Sequence, residues 1–456
     1  MTRDVVIVGG GVVGTAIARE LSRFELSCTL VEAAPDVGAR TSKANTALLH
    51  TGFDAKPGTL EGRLVPRGRE LLVEYAARVG IPLEHTGALL VAWSEGQREA
   101  FAGIVERARA NGYDAIREIT AAELYRREPQ LGPGVAGALE VPDEGIVCPF
   151  TTPLAFATEA VLAGCELRRD APVTRVERVE GVFRLEAGGE ELTTRYLVNA
   201  AGQHADDLHR MLGLEDLTIT PRRGELLVFD KLARPLLRHI ILAVPTGTTK
   251  GVLVAPTVFG NILLGPTAED VEDKEDTSST AEGLAYLRSE GRRIVPQLLE
   301  HEVTAVYVGL RTASNDPDYR ISVEDGYTCV AGIRSTGLTA SLAIAEHVRG
   351  LLEADGLALQ PREEAPTLRM PNIGEAAARP FALPERIAED ADNGRVVCFC
   401  ERVTRGEIRN ALTATVPAMD LDGLRRRTRA LMGRCQGFFC GAEVRELLAE
   451  AHRATW

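Results

Sequence analysis

A glycine-rich turn between a strand pattern and a helix pattern constrains this chain more than any other feature. Gly9, Gly11 and Gly14 give the spacing G-x-G-x-x-G directly after the apolar run DVVIV, and apolar residues at helical spacing follow them. The first glycine permits a tight turn, the second lets backbone N–H groups approach a pyrophosphate, and the third lets helix and strand pack closely. The pattern predicts a βαβ unit that binds a dinucleotide. The alternative is a glycine-rich turn in some other α/β protein.

An acidic residue ends the second predicted strand. Glu32 follows Gly14 by 18 residues, just after the run SCTLV. A carboxylate at this place accepts hydrogen bonds from both ribose hydroxyls of an adenosine and repels a 2′-phosphate, so NADP is disfavoured. The turn and the acid are compatible with both NAD and FAD.

Two later segments favour FAD over NAD. The strand pattern YLVNAAG, residues 196–202, ends in small residues that let a second chain segment close on the pyrophosphate. The segment VAGIRSTGLT, residues 330–339, is another strand, turn and helix start. It can bring the positive end of a helix to a flavin, where that end stabilises the negative N1–C2 edge of the ring.

With these segments, residues 4–355 resemble the FAD-dependent oxidoreductases of the D-amino-acid oxidase and glycerol-3-phosphate dehydrogenase superfamily. The stretch TSKANTALLHTG, residues 41–52, looks like the family's segment that passes the isoalloxazine ring, and VGLR, residues 308–311, is similar to the segment whose arginine holds the substrate's anionic group. The resemblance implies non-covalent FAD. The residues predicted to bind FAD are Gly9, Gly11, Val13, Gly14, Glu32, Thr41, Ser42, Lys43, Asn45, Thr46, Leu48, Leu49, Val173, Ala200, Ala201, Gly202, Gly309, Gly337, Leu338 and Thr339.

Four of the eight cysteines form a second motif near the C-terminus. Cys398 and Cys400 give C-x-C, and after 34 residues Cys435 and Cys440 give C-x4-C. Clustered cysteines in a chain without an export signal indicate metal rather than disulfides. Structural zinc sites favour two-residue spacers, so the spacing favours an iron–sulfur cluster, with zinc and free thiols as the alternatives.

This segment resembles the [2Fe-2S] domains of the bacterioferritin-associated ferredoxin type over about residues 395–450, through VCFCERVT and TRALMGRCQGFFC. The likeness implies that the four thiolates hold a [2Fe-2S] cluster. Residues 395–456 contain 11 Arg and 7 Asp or Glu, a net charge of +4 against −13 for the whole chain. Five arginines lie shortly before Cys435 and Cys440. They are predicted to stabilise a negatively charged cluster. The alternatives are that they lie on a solvated helix face or dock an acidic partner. The five arginines are Arg425, Arg426, Arg427, Arg429 and Arg434.

The predicted fold class is α/β, with a Rossmann-like FAD-binding domain, an inserted antiparallel β-sheet substrate domain and a small helical C-terminal [2Fe-2S] domain. Helical spacing predicts helices at 15–24, 64–79 and 338–351, and a β-branched, turn-rich stretch at 218–266 predicts the antiparallel sheet. The predicted divisions are an oxidoreductase domain at 1–355 (FAD-binding parts at 1–80, 145–215 and 305–355, substrate-sheet parts at 81–144 and 216–304), a linker or strap at 356–393, and a [2Fe-2S] domain at 394–456.

A flavin dehydrogenase acting on a carbinol needs a base for the hydroxyl proton and an anchor for the substrate. His50 follows the flavin segment and is the predicted base, because an unperturbed imidazole titrates near neutrality. Arg311 is the predicted anchor, since a guanidinium grips carboxylate or phosphate with two hydrogen bonds. The alternative for His50 is a structural role, and the alternative for Arg311 is an ion pair at the surface. Lys250, in the central sheet region, is the predicted second cation.

A flavin takes two electrons as a hydride and a [2Fe-2S] cluster passes one at a time, so the pair leads electrons away from the substrate. The domain order resembles the large subunit of anaerobic-type glycerol-3-phosphate dehydrogenases. It implies a dehydrogenase that oxidises sn-glycerol 3-phosphate to dihydroxyacetone phosphate, or a similar small hydroxy anion. The alternatives are a dehydrogenase of L-2-hydroxyglutarate or another 2-hydroxy acid, a dehydrogenase subunit for imino or amino acids such as hydroxyproline or opines, and a flavin and iron–sulfur redox sensor or electron-transfer subunit.

The sequence also limits the kinds of partner that we expect for this protein. The predicted acceptor is a partner subunit, a quinone or an NAD-linked flavoprotein, so a hetero-oligomer is expected. The net charge of −13 argues against nucleic acid, and no apolar run reaches the roughly 18 residues of a membrane span. The N-terminus runs straight into a strand pattern without a signal sequence. We expect a cytoplasmic protein, with a peripheral position at a membrane through a partner as the alternative.

Overall fold

The computed structural model describes residues 2–245 and 251–454. The strands of this part of the chain are β1 (Arg3–Val8), β2 (Cys28–Val31), β3 (Leu48–Leu49), β4 (Leu83–Glu84), β5 (Ala88–Ala92), β6 (Arg117–Ile119), β7 (Gly137–Val141), β8 (Gly145–Val147), β9 (Glu166–Arg168), β10 (Val173–Val179), β11 (Val182–Ala187), β12 (Glu190–Asn199), β13 (Ile219–Phe229), β14 (Ile240–Ala243), β15 (Leu253–Pro256), β16 (Ile262–Gly265), β17 (Glu269–Asp270), β18 (Val303–Ser314), β19 (Arg320–Glu324), β20 (Tyr327–Ala331), β21 (Val396–Cys398) and β22 (Val403–Thr404). The α-helices are α1 (Val12–Leu21), α2 (Leu60–Val79), α3 (Glu95–Glu99), α4 (Phe101–Ala110), α5 (Ala121–Arg127), α6 (Thr151–Leu162), α7 (Ala205–Met211), α8 (Ala281–Ile294), α9 (Gly337–Ala354), α10 (Pro384–Glu389), α11 (Arg405–Thr413), α12 (Leu421–Thr428) and α13 (Gly441–Ala454).

An eight-stranded sheet carries the predicted dinucleotide turn. Its parallel centre has the order β9, β2, β1, β12 and β20, and antiparallel strands extend it beyond β12 and β20. The continuous apolar run of β1 suits this position, because a central parallel strand is buried on both faces. Helix α1 begins at Val12, three residues earlier than the apolar spacing predicts, because the N-cap is Gly11 of the turn itself.

A nine-stranded sheet forms the second layer. Its order is β17, β13, β16, β15, β14, β5, β7 and β6, with β18 on β13. Its pairs are antiparallel except for β5 with β14, which run parallel. The predicted fold class, including an antiparallel sheet added to a Rossmann-like domain, is confirmed. Strand β18 pairs along the length of β13, so the segment from residue 305, assigned from the sequence to the FAD-binding part, starts as a strand of this second sheet.

A three-stranded sheet has the order β3, β8 and β4. Its strand β3 belongs to the stretch 41–52, the flavin segment, which is predicted to pass the isoalloxazine ring. The short strands of this sheet bring together two chain regions almost 100 residues apart, because β3 pairs antiparallel with β8. His50 directly follows β3 and Glu144 directly precedes β8. This register places His50 and Glu144 opposite each other at the end of the strand pair.

The C-terminal part begins with an irregular segment and ends in a small helical module. The irregular segment between α9 and α10 is held by backbone hydrogen bonds. Its Gln360 carbonyl accepts from the Glu25 N–H, and its Met370 N–H donates to the Val79 carbonyl, so the segment is bound to the FAD-binding part. The module has the hairpin β21–β22, a capping box at the start of α11, and its own apolar core. No helix within the described residues is long and apolar enough to cross a membrane.

Candidate active site and iron–sulfur module

The glycine turn has the close packing that its spacing predicts. Gly9 has a φ of 108°, and a Cβ atom there would lie 2.3 Å from the Ala200 carbonyl oxygen. A Cβ atom on Gly14 would lie 1.9 Å from the Gly9 carbonyl oxygen. Any side chain at these two positions would therefore push α1 or β12 away from the turn. The result is a backbone cradle at the start of α1, where the partial positive charge of the helix favours a pyrophosphate.

Glu32 lies directly after β2, beside this cradle. Its Oε2 accepts a hydrogen bond from the Gly10 N–H at 2.5 Å, and its Oε1 accepts one from the Ala34 N–H at 2.8 Å. Burial raises the pKa of the Glu32 carboxyl, and the two N–H groups oppose that change. Each oxygen keeps a second lone pair, so the carboxylate can still accept a ribose hydroxyl.

One cavity of about 1230 Å³ extends from the glycine turn to the C-terminal module. The predicted FAD-binding residues that line it are Gly9, Gly11, Val13, Glu32, Thr41, Ser42, Lys43, Asn45, Thr46, Leu48, Val173, Ala200, Ala201, Gly202, Gly309, Gly337 and Leu338. The other three support the wall from behind. Gly14 packs against Gly9, Leu49 is fully buried, and the Thr339 hydroxyl donates to the Leu48 carbonyl.

The far end of the cavity has the features that a flavin ring requires. Strand β18 approaches the segment 41–48 so closely that a Cβ atom on Gly309 would lie 1.9 Å from the Ala44 carbonyl oxygen. The Tyr307 hydroxyl donates to the Asn45 carbonyl at 2.6 Å and fixes the same contact. The first residues of α9 line the cavity opposite, with the helix N-terminus facing it. A backbone cradle at one end and a helix N-terminus at the other fit the two halves of FAD.

His50 lies behind this end of the cavity. Its backbone N–H donates to Thr339 Oγ1 at 3.0 Å, and its Nδ1 is 3.3 Å from Glu144 Oε2. Leu48, two residues earlier, lines the cavity, whereas His50 is not part of the cavity wall. The structure thus places His50 next to the flavin segment, and its role as the base stays a prediction.

Arg311 lies in β18, half-buried and without a carboxylate partner among the described residues. Its Nη2 donates to the Thr267 carbonyl at 2.6 Å, and its Nε has no hydrogen-bond partner. Burial, together with the charge of Arg222, lowers the pKa of Arg311 to about 10, so the side chain is charged at neutral pH. A surface ion pair does not describe it. It is not on the cavity wall either, and its role as anchor stays a prediction. Lys250 lies outside the described residues.

The four cysteines of the C-terminal module come together in space. The Cys398 thiol contacts Cys440 and the Cys400 thiol contacts Cys435, so each contact joins one cysteine from each sequence motif. Backbone N–H groups, that of Phe439 first, lower the pKa of Cys435 against the effect of burial. Among the described residues no three His, Cys, Asp or Glu side chains are arranged to hold a single metal ion. Two pairs of thiols with N–H donors suit a cluster that takes two thiolates on each of two irons.

Comparison with known proteins agrees with both halves of this geometry. Residues 4–351 match the family model described as FAD dependent oxidoreductase. The chain belongs to the FAD-dependent oxidoreductase family. Residues 396–450 match the BFD-like [2Fe-2S] binding domain. The predicted cofactors, FAD and a [2Fe-2S] cluster, are thereby confirmed, as is the predicted enzyme class.

Three similar proteins extend this FAD-dependent oxidoreductase assignment. A glycerol 3-phosphate dehydrogenase of Caloramator mitchellensis is 34% identical over 98% of this chain and 94% of its own length. The anaerobic glycerol-3-phosphate dehydrogenase subunit A1 of Haloferax volcanii is 28% identical over 96% of this chain and 81% of its own. The dithionite-reduced L-α-glycerophosphate oxidase of Mycoplasma pneumoniae with FAD bound has a TM-score of 0.76 at 30% identity, and covers 82% of this chain and 99% of its own. The predicted resemblance to the glycerol-3-phosphate dehydrogenases is confirmed.

In this FAD-dependent oxidoreductase the cluster module packs directly onto the FAD-binding part. Asp36, 1% exposed, accepts hydrogen bonds from Arg426 Nη2 at 2.6 Å and from both Nη atoms of Arg427 at 2.5 and 2.8 Å. Lys43, on the cavity wall, pairs with Asp422 at 2.7 Å. Two of the arginines proposed from the sequence to serve the cluster, a solvated face or an acidic partner therefore bind an acid of the same chain.

A third arginine connects the cluster loop with the cavity. Arg429 is the C-cap of α12 with a φ of 74°, and its guanidinium lies over the Phe259 ring at 4.2 Å. It donates to Asn261 Oδ1 and to Glu401, the residue after the predicted ligand Cys400. Phe259, Asn261 and Arg429 all line the FAD cavity. The wall of the cavity nearest the cluster is thus shared by both modules of the enzyme.

Sequence reasoning missed several residues of this site. Asp36, Glu144, Phe259, Asn261 and Tyr307 contact predicted site residues but belong to no motif. The stretch VFGNILLG, which contains Phe259 and Asn261, reads only as a turn between two strands. Asp36 offers one usable signal, because it is the single charged residue in the stretch AAPDVGA, whereas Glu144 follows Asp143 and offers none.

Replacing Asp36 with asparagine is expected to loosen the cluster module. The substitution keeps the shape but leaves Arg427 buried without its counter-charge, which typically costs about 3 to 5 kcal/mol, whereas Arg426 keeps its second partner Asp422. Urea unfolding and limited proteolysis between residues 356 and 394 measure the effect. Asp230→Asn is the matched control, because its partner Arg434 is half exposed and a smaller loss, about 1 kcal/mol, is expected. Equal losses in the two variants would contradict the prediction.

The Asp36 contacts also have a defined pH dependence. Burial raises the pKa of Asp36, but the hydrogen bonds and charges of Arg427 and Arg426 outweigh it and hold the pKa below the usual value. A carboxyl with a lowered folded pKa stabilises the docked module above its unfolded pKa and loses that contribution as the pH falls through the folded one. Docking should therefore be strongest at neutral pH and weaken in strong acid.

Proposed function

We propose that this protein is a dehydrogenase of sn-glycerol 3-phosphate. In this proposal the substrate is oxidised to dihydroxyacetone phosphate, a hydride passes to FAD, and electrons leave through the [2Fe-2S] cluster to an acceptor other than oxygen. One observation carries the proposal. The cluster module forms part of the wall of the FAD cavity, in a chain similar over its whole length to a glycerol 3-phosphate dehydrogenase.

His50 and Arg311 are proposed to act on the two ends of such a substrate. His50 is proposed to take the proton of the secondary hydroxyl while the carbon–hydrogen bond at the same carbon breaks. When bound, FAD supplies the hydride acceptor and the cluster supplies a one-electron carrier. Proton transfer to a placed base typically contributes about 10² to 10⁴ in rate. This assignment gives His50 a chemical role that a purely structural histidine does not have.

Arg311 is proposed to bind the phosphate group. Its guanidinium is charged, half-buried and held only by backbone carbonyls among the described residues, so hydrogen-bonding capacity remains for an anion. The charge of Asp270 only partly offsets the burial of this cation, which has no ion-pair partner among the described residues, so an anionic ligand would stabilise it. The same fork would hold a carboxylate, so a 2-hydroxy acid is the second candidate. Lys250 stays the proposed second cation.

Anaerobic addition of substrate to the purified protein tests the function. We expect sn-glycerol 3-phosphate to bleach the flavin absorbance and then to reduce the cluster, which is observed as an electron paramagnetic resonance signal. The matched controls are the enantiomer sn-glycerol 1-phosphate, which presents its hydrogen from the wrong side, and glycerol, which lacks the anion. Neither should bleach the flavin at the same concentration.

The other outcomes separate the alternatives. Bleaching by 2-hydroxy acids or imino acids, but not by glycerol phosphate, would show that the enzyme acts on another class of substrate. No bleaching by any of these compounds would favour a redox sensor or an electron-transfer subunit. Rapid reoxidation by oxygen, with the cluster remaining oxidised, would contradict the proposed electron path and leave the substrate assignment intact.

A further inference from the structure

A buried carboxylate lies directly behind the proposed base. Strands β3 and β8 pair with Leu49 opposite Gly145, so the next residues outward, His50 and Glu144, lie opposite each other. The Glu144 side chain is fully buried, and its Oε2 is 3.3 Å from His50 Nδ1. Among the described residues, His50 Nδ1 is the basic nitrogen that lies within 4.0 Å of this carboxylate. The pair is thus set by the register of the small sheet.

The carboxylate is held by one oxygen and leaves the other for the imidazole. Glu144 Oε1 accepts hydrogen bonds from the N–H of Thr51 at 2.7 Å and from its hydroxyl at 2.9 Å. Glu144 Oε2 is buried and forms no hydrogen bond of standard geometry. A buried carboxylate oxygen without a donor is costly, and it gains most from a donor that becomes positively charged. Within residues 2–245 and 251–454, His50 is the group placed within 4.0 Å to become such a donor.

His50 is also fixed from the other side. Its backbone N–H donates to Thr339 Oγ1 in the first turn of α9, the helix whose N-terminus lines the flavin end of the cavity. The backbone of His50 is therefore fixed to α9, and its Nδ1 lies 3.3 Å from the carboxylate of Glu144, directly before β8. Such double support is what a proton acceptor needs, since a small displacement from the reacting group lowers the rate steeply.

We propose that Glu144 is a positioning residue that keeps the His50 proton on Nδ1 and leaves the Nε2 lone pair to accept the substrate's hydroxyl proton. This inference rests on the proposed dehydrogenase function. In the step, the O–H proton moves to Nε2, the carbonyl bond forms and the hydride of the same carbon leaves to FAD. The imidazole becomes positively charged, and Glu144 stabilises that charge without touching the substrate.

The other titratable groups near Glu144 do not supply this charge. Tyr113, whose hydroxyl donates to Asp143, has a raised pKa because it is buried and close to Asp143 and Glu144, so it stays neutral. Glu84 lies opposite Ile146 across the β4–β8 pair and is paired at 3.9 Å with Arg234. Two cations lie nearby, Arg234 on Glu84 and Arg69, whose guanidinium donates to the Asp143 carbonyl at 2.8 and 3.1 Å. Among the described residues His50, and neither of these arginines, lies within 4.0 Å of the Glu144 carboxylate, so a cation on His50 is the one that its charge favours most.

The variant Glu144→Gln tests the role because it keeps the size and the acceptor for Thr51 but removes the charge. We expect flavin reduction by sn-glycerol 3-phosphate to slow by about 10²-fold at saturation with little change in KM, since loss of an orienting partner typically costs 10- to 100-fold. The acid limb of the rate profile should move to lower pH, because a charged imidazole loses its stabilising neighbour. Glu84→Gln, in the same small sheet, should change neither the rate nor the profile.

A direct measurement keeps the inference testable if Glu144→Gln does not fold. Nitrogen-15 NMR of the histidine rings in the FAD-loaded wild-type protein, with His50→Gln to assign the signal, reports which ring nitrogen carries the proton. We expect the Nδ1–H form above the titration midpoint, and a midpoint shifted to lower pH in Glu144→Gln. The Nε2–H form, or an unchanged midpoint, would overturn the inference.

Different results would contradict the role of His50 and the role of Glu144. If His50→Gln reduces its flavin at the wild-type rate, the proposed base is wrong, whatever the NMR result. If His50→Gln is slow but Glu144→Gln is as fast as the wild type, with the same pH profile, the base is supported and the role of Glu144 is wrong. A raised KM with unchanged saturated rate in Glu144→Gln would also contradict a positioning role.

Discussion

Replacing His50 with glutamine is expected to slow the reduction of FAD by substrate about 10²- to 10⁴-fold. Glutamine keeps hydrogen-bonding capacity at this place but cannot accept a proton, so the hydroxyl proton has no base in the transition state. Binding should change much less, because the anion is assigned to Arg311. Anaerobic stopped-flow measurement of flavin bleaching over a range of substrate concentrations separates the two effects.

A second histidine–glutamate pair provides the control for His50. His239 Nδ1 lies 2.7 Å from Glu128, which is also buried, but neither residue lines the FAD cavity. His239→Gln should leave the rate of flavin reduction unchanged, apart from any loss of stability. The wild-type rate should also fall in acid, because a protonated imidazole is no base. A wild-type rate in His50→Gln would make this histidine structural and require another base.

The substitution Cys435→Ser is expected to abolish turnover with an acceptor too large to enter the FAD cavity, such as cytochrome c. Cys435 is a predicted ligand of the [2Fe-2S] cluster, so its loss should remove the cluster and interrupt the proposed one-electron path from the flavin. Flavin reduction by substrate should remain close to the wild-type rate. Iron and labile sulfide analysis, electron paramagnetic resonance and acceptor assays measure the three effects separately.

A cysteine outside the module serves as the control for Cys435. Cys165→Ser, next to β9, should keep both the cluster and the turnover. The measured FAD content decides how the modules depend on each other. If Cys435→Ser keeps its FAD, the ion pairs of Asp36 hold the module in place without the cluster. Loss of FAD together with the cluster would show that the cluster itself supports the wall of the cavity.

Local patterns predicted the parts of this protein that local physics determines. The turn at Gly9, Gly11 and Gly14 follows from backbone sterics within six residues, and the carboxylate of Glu32 follows from the length of one βαβ unit. The cysteine pairs are equally local, because two thiolates close in sequence reach the same cluster. These features could be recognised without knowing which strands are neighbours.

The remaining features depend on which distant segments meet. Glu144 is 93 residues from Thr51, and only the pairing of β3 with β8 brings it to His50. Spacing gave no sign of this pairing because the two strands have two and three residues. Arg311 was identified by its residue type, but its depth behind the cavity wall follows from the alignment of β18 with β13.

The contact between Asp36 and α12 joins residues 390 positions apart and has a consequence for how the protein is made. A chain is synthesised from its N-terminus, so the sheet that carries the glycine turn can fold before the cysteine module has left the ribosome. Closing so long a loop is entropically unfavourable until both ends are structured. The FAD cleft therefore lacks its last wall during synthesis, and flavin can enter it before the module docks. We expect exchange of FAD in the finished enzyme to be slower than in a chain that ends before the module, because module residues form part of the cavity wall.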